Sequence, residues 1–333
     1  MTFAFGVVQL NPAALGIATA MNEPEFFGPT DDTGFGGGVD PVDNDPNTQG
    51  AIESRTHGLV HVAVGGQIGT VAGAMSEVPR AAFDPIFWVH HAMIDRLWAN
   101  WTCMPGKSWG SLPPAVWFDE APWSFHDHDG QVGQETRRFF LTYNQLEYTY
   151  DDDEPSCKPL AVPSEIVAVA PTNETPALLE KLEAKTAGSF EILDQPLSFA
   201  LDTNINQTLI ERVLPPSFFV EIGGLQVEGV PPFAYDVYVS AQPGAGKDRG
   251  SPAYVGTLPL FGLSHHSVGG KTIRLNATNA VMQVGTASEV FVEIEPVPLL
   301  IPTTEPLAIP ESIPKTEKGP QKLRFTEVRL VSR

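Results

Sequence analysis

The sequence predicts an α+β protein: a mainly helical N-terminal part that ends near Glu154, followed by an antiparallel β-sandwich. Three observations predict it. Apolar residues recur at helical spacing over 53–64 and again over 84–103. From Gly188 onward the period changes to two, over 189–192, 218–222, 235–239, 273–275 and 290–294. And 30 Gly and 31 Pro in 333 residues supply the turns that short antiparallel strands need.

The elements follow in order along the chain. Residues 1–56 read as short helical or irregular pieces and a loop, with Gly34, Gly36, Gly37 and Gly38 in an acidic run that ends near Asn47. Asp84 followed by Pro85 is a helix start, Asp as the cap and Pro at the first helical position. After Pro105 the pattern breaks into short segments, and 116–129 is rich in Trp, Phe, Asp and His. The acidic run 151–154, with Pro155 and Pro159, marks a boundary. Residues 176–186 hold a short helical pattern in Leu178, Leu179 and Leu182. Residues 296–320 are Pro-rich, and 322–331 alternate as a last strand returning to the sandwich. The expected organisation is therefore a helical part over 1–154, a linker over 155–187, the β-sandwich over 188–299, and a strap with a terminal strand over 300–333.

Charge excludes whole classes of partner. Forty acidic against 20 basic residues give a net charge of −20, which disfavours nucleic acid and anionic membrane surfaces. The longest uncharged stretch, 1–22, lacks a basic start and is interrupted by Asn11-Pro12, so it reads as a buried segment rather than an export signal or a membrane span. A soluble, cytoplasmic protein is the default expectation. Cys103 and Cys157 are too few for a disulfide framework, and one bond or two thiols fit equally well.

The chemistry lies in the histidines. Of eight, His57 and His61 are spaced i, i+4, which on a helix puts both rings on one face, close enough to share a metal such as copper, zinc, iron or nickel. Alone the spacing also suits an ordinary helix surface. The second piece is the run from Phe83 to Trp101, FDPIFWVHHAMIDRLWANW, where Phe87, His91, Asp95 and Ala99 fall on one helical face. Phe87 can pack on the ring of His91, and Asp95 can hold that ring from one turn away. Leu97, Trp98 and Trp101 read as core anchors. Phe125-His126-Asp127-His128 reads as an exposed turn rather than a chelate, and His265-His266 as surface.

An HxxxH helix followed by D-P-x-F-x-x-H-H-x-x-x-D-R-x-W resembles the copper B half of the tyrosinase, catechol oxidase and haemocyanin family of type 3 copper proteins, and this sequence matches that motif at each position. The resemblance is strong over about residues 23–103. It implies copper ligation by His57, His61 and His91, with His90 a neighbour. It implies that Glu53 holds a water that helps deprotonate a phenol, although an acid in a first helical turn is also favoured by the helix dipole. Gly58 stands where monophenol-hydroxylating members often carry Asn, which implies a preference for o-diphenols, and Val62 offers substrate no charge. Phe26-Phe27-Gly28 and the Gly-rich loop resemble the approach to this site in plant-like polyphenol oxidases. Residues 233–239 resemble the β-domain that covers the site in latent ones.

The family's site needs six histidines, three per copper, with the copper A trio N-terminal to copper B, and no His precedes His57. The resemblance therefore implies a partial copper domain with copper A absent, by truncation, loss or separate encoding of that half. One three-His copper cannot supply both electrons that reduce dioxygen to peroxide. The reading is a copper-dependent oxidoreductase of the polyphenol oxidase type, or a fragment of one, acting on a phenolic small molecule with O2. The alternatives are a catalytically inactive copper-binding remnant and a haemocyanin-like oxygen-binding protein. A zinc hydrolase is disfavoured because no H-E-x-x-H occurs.

Overall fold

A computed structural model describes residues 8–28, 34–38, 46–68, 70–111, 118–119, 123–126, 129–141, 148–151, 160–161, 182–205, 217–244, 247–263, 270–302 and 322–332. Five α-helices lie among them: α1 (Pro12–Leu15), α2 (Ile17–Asn22), α3 (Gly58–Gly65), α4 (Ile86–Cys103) and α5 (Thr278–Val284). The chain divides into two compact units. One comprises Met1–Thr19, Glu53–His90 and Leu178–Arg333; the other Ala20–Ile52 and His91–Ala177.

The first unit is built on eight long strands: β1 (Glu183–Ile192), β2 (Leu197–Ile205), β3 (Phe218–Glu228), β4 (Phe233–Ser240), β5 (Tyr254–Thr257), β6 (Lys271–Asn276), β7 (Ala287–Pro298) and β8 (Lys322–Ser332). They form two four-stranded antiparallel sheets, ordered β6-β3-β8-β1 and β5-β4-β7-β2. The fold is α+β. The register explains why each sheet keeps one apolar face. Val220 sits opposite Leu330 and Ile222 opposite Val328, and these four side chains enter the same core as Val237, Val292 and Ile294 of the second sheet. On the opposite face of β3 an acid is buried as well, and cations meet it: Glu221 lies between Arg274 at 3.0 Å and Arg329 at 2.6 Å.

The terminal strand β8 is central, between β3 and β1. Strand β1 begins at Glu183, inside the stretch whose Leu spacing reads as helical. Pairing with β8 explains the difference. Ala184 opposes Leu330 and Thr186 opposes Val328, a long-range ladder that outweighs a weak local preference. Leu178 and Leu179, most of the proposed linker, His128, His265 and His266 lie outside the described residues.

The second unit packs aromatic rings. Phe26 contacts Phe27, Trp98, Trp101 and Trp109 at centroid distances of 4.8–5.9 Å, and Phe35 stacks on Trp101 at 4.7 Å. Buried indoles need acceptors: Trp101 Nε1 donates to the Glu23 carbonyl at 2.9 Å and Trp109 Nε1 to the Ala161 carbonyl at 2.8 Å. Leu97, Trp98 and Trp101 thus anchor α4 in this core. Cys103, at the end of α4, is disulfide-bonded.

Candidate metal centre

The centre starts from a change of helical pitch. Residues Ile52–His57 form a π-helical turn that runs directly into α3 at Gly58. Such turns are rare and accompany functional sites. This one places Glu53 four residues before His57, with Glu53 Oε2 2.6 Å from His57 Nδ1. A carboxylate there keeps the proton on Nδ1 and leaves the Nε2 lone pair for a metal. His61 is fully buried and donates from Nδ1 to the Met75 carbonyl at 2.7 Å, which fixes the same tautomer. The two Nε2 atoms lie 3.1 Å apart.

Helix α4 supplies the third ring. Asp84 caps its start, accepting from the Ile86 amide at 3.1 Å, as Asp84-Pro85 predicts. Four residues on, His90 is buried, donates from Nε2 to the His57 carbonyl at 3.1 Å, and lies parallel to the His57 ring at 5.4 Å. His57, His61 and His90 each offer one ring nitrogen, all within 4.8 Å of one another. Each ring's other nitrogen is directed at a carboxylate or carbonyl oxygen, so three neutral imidazole donors converge with their orientation set. That donor set fits copper.

The expected site residues fall as follows. His57 and His61 come together as the spacing predicts. The third member of the cluster is His90, whereas the motif resemblance implies His91. Consecutive helical residues point about 100° apart, and the half-buried His91 is not in this group among the described residues. Phe87 is set edge-on to His61 at 5.8 Å. Asp95 takes the hydroxyls of Tyr148 and Tyr150, the latter at 2.5 Å. Burial, then the Asp95 carboxylate, hold both phenols well above their usual pKa. Val62 is buried in the wall of α3. Exposed His126 stands on the short strand Trp123–His126.

Two residues carry the site without any signal in the sequence. Met75 contributes only a backbone carbonyl. Phe261, in the loop after β5, stacks on His61 at 4.2 Å with the rings 15° apart, and stands edge-on to His57 at 5.9 Å. Gly58 makes this approach possible. A Cβ there would meet the Phe261 Cβ and the Glu53 carbonyl oxygen, each at 3.1 Å.

Three converging imidazoles define a candidate histidine metal centre. Residues 17–104 match the family described as the common central domain of tyrosinase. The tyrosinase HcTyr1 of a Hahella species is 37% identical over 131 residues, 39% of this chain and 26% of that one. A haemocyanin of G-type from Enteroctopus dofleini is 48% identical over 107 residues, 29% of this chain and 4% of that one. Latent apple tyrosinase shares the fold with a TM-score of 0.54 at 17% identity, over 96% of this chain and 64% of its own. The chain thus spans about a quarter or less of the curated relatives it matches. The match over residues 17–104 and the relatives named make this segment similar to the central domain of tyrosinases and polyphenol oxidases.

Proposed function

We propose that this chain carries one copper-binding half of a polyphenol-oxidase-type oxidoreductase, whose complete form oxidises o-diphenols to o-quinones with O2. The observation that carries the reading is the convergence of three oriented imidazoles inside the tyrosinase-matched segment. When bound, copper supplies the path for electrons between a phenol and dioxygen.

The chain's own residues do the rest. His57 and His61 bind through Nε2, and the third imidazole comes from the His90–His91 pair: the cluster geometry supports His90, the family motif His91. Glu53 orients His57. Its carboxylate is partly exposed and can also take a phenol's proton through a water. Phe261 covers His61 and excludes water from that side, and a substrate approaching there must displace its ring. Gly58 and Val62 leave the approach uncharged. The disulfide at Cys103 favours an oxidising compartment over the cytoplasmic default.

Loading the purified chain with copper and measuring metal per chain beside catechol oxidation tests the reading. One copper per chain without turnover is expected, because a two-electron exchange calls for a second trio. No bound copper overturns the metal assignment, and two coppers with turnover overturn the half-site. An oxygen-dependent absorption band with no catechol oxidation would instead favour oxygen binding, the second reading that the haemocyanin similarity supports. Alanine at His57 or His61 is expected to abolish copper binding. Of His90→Ala and His91→Ala, one is expected to lose copper and the other to retain it. Retention in both removes the pair as the source of the third ligand.

A further inference from the structure

We infer that Arg55 is a positioning residue for the metal centre: laid over the Tyr254 ring of β5, it holds the π-helical turn that presents His57. The inference deepens the copper reading and rests on it where metal affinity is concerned. Three side chains of the turn Ile52–His57 reach outward to different partners. Glu53 meets His57 Nδ1 at 2.6 Å, Thr56 donates to the Leu15 carbonyl at 3.2 Å, and the Arg55 guanidinium carbon lies 5.6 Å from the centroid of the Tyr254 ring. That distance is within the range in which a guanidinium is attracted to the face of a tyrosine. Arg55 Nε and Nη1 are closed off from solvent, and such attraction grows as the cation loses water.

Both members of the contact are fixed from behind. Thr257 gives its proton to the buried Asp236 at 2.6 Å, so the Tyr254 hydroxyl is the donor in its 2.7 Å bond to Thr257 Oγ1. The Tyr254 ring also packs on that of Tyr238, its buried cross-strand neighbour, at 5.6 Å. The stem of Arg55 runs past Gly16. A Cβ there would stand 3.1 Å from Arg55 Cδ and 3.4 Å from Arg55 Cβ. The guanidinium therefore sits on a platform that belongs to the sandwich, at the end of a stem with little room to swing.

What the contact holds is a helical phase. A π-helical turn carries one residue more than an α-helical turn. If it tightens to α pitch, the residues before it shift by one position, about 100° around the axis relative to α3. Glu53 then leaves His57 Nδ1, and the carboxylate that sets the tautomer and the aim of the ring is lost. Arg55 lies between Glu53 and His57, inside the turn itself. Its anchorage on Tyr254 opposes that tightening directly.

The test uses the full chain and reads two quantities: hydrogen exchange over residues 52–57 without metal, by mass spectrometry, and copper affinity by titration. Arg55→Met keeps the stem and removes the cation, and Tyr254→Leu removes the ring. Each is expected to speed exchange in the turn by about tenfold. Each should also weaken copper binding by about tenfold, the low end of what an outer partner of a metal-bound imidazole is worth. The two substitutions together should do no more than either alone, because they break one contact. Tyr254→Phe gives up the Thr257 bond but keeps the ring, and wild-type exchange and affinity are expected of it. Unchanged exchange in Arg55→Met, additive effects, or a Tyr254→Phe variant as impaired as Tyr254→Leu would each overturn the inference. Faster exchange with unchanged copper affinity would overturn it too, and leave Arg55 a structural tie. Failure of the copper reading shows separately, as a wild-type chain that takes up no copper, since the exchange measurement is made without metal.

Discussion

Gly58 is constrained from two directions, and both constraints can be measured. The turn from π- to α-helix brings the Glu53 carbonyl oxygen to 3.1 Å of where a Cβ would stand, and Phe261 comes as close from the other side. Introducing Asn there overpacks a well-filled site, and a cost of about 1–3 kcal/mol is expected. The cost should fall when Phe261 is first cut to Ala, so a double-mutant cycle read by denaturant unfolding should return a coupling of about 0.5–3 kcal/mol. Additive effects would show that the ring does not set the residue at this position. Glu53 makes a separate case. If its carboxylate holds the His57 tautomer, Glu53→Gln should weaken copper binding by about 10–100-fold, read by direct metal titration. An unchanged affinity would remove that role and leave Glu53 only the phenol's proton.

At the scale of elements, α4 carries both units' demands in one helix. Trp101 is fully buried, stacked on Phe35 and bonded through its indole to Glu23. Trp101→Ala is expected to destabilise the fold by about 3–5 kcal/mol, the usual cost of deleting a large core aromatic. A change below 1 kcal/mol by chemical denaturation would refute its anchoring role. This helix was legible in the sequence because each signal is local: Asp84 as cap, apolar spacing, and Trp98 and Trp101 two to three turns along the side that carries the histidines. The pairing of His57 with His61 was legible for the same reason. What escaped depends on distant chain. Strand character at 183–186 comes from β8, nearly 150 residues on. The Phe261 ring reaches the site from a loop in the sandwich, and the choice between adjacent His90 and His91 turns on how a helix is rotated about its axis. None of these leaves a periodicity to read. Cys103 left two states open. Its bond is closed, and its reduction is expected to cost about 2–5 kcal/mol. A thermal melt with and without a reductant checks this.

For the molecule as a whole, the sandwich unit has a polar lock that joins it to the segment bearing the metal centre. Asp236 of β4 is buried and accepts two bonds from the Arg249 guanidinium, at 2.7 and 2.8 Å, and one from the Thr257 hydroxyl at 2.6 Å. Arg249 continues to the Ala13 carbonyl at 2.7 Å, beside Gly16, whose backbone lies in the left-handed region with φ +66°. A Cβ on Gly16 would press on both Arg249 and Arg55, and Arg55 belongs to the π-helical turn that ends in His57. Thr56, next to the ligand, donates to the Leu15 carbonyl at 3.2 Å. The ion pair therefore reaches α1 through the Ala13 carbonyl, and α1 is tied in turn to the ligand turn by the Thr56 bond to Leu15. Removing one partner leaves the other charge buried, so Asp236→Ala is expected to cost about 3–5 kcal/mol. Replacing Asp236 and Arg249 together by apolar residues should restore much of that stability, because the uncompensated charge is gone. The two variants separate stability from positioning. In the double variant the fold recovers but the hold on Ala13 and, through α1 and Thr56, on the ligand turn does not, so copper affinity should remain below that of the wild type. Full recovery of both stability and copper affinity would show that the ion pair serves the sandwich alone and that the metal centre takes its geometry from α3 and α4.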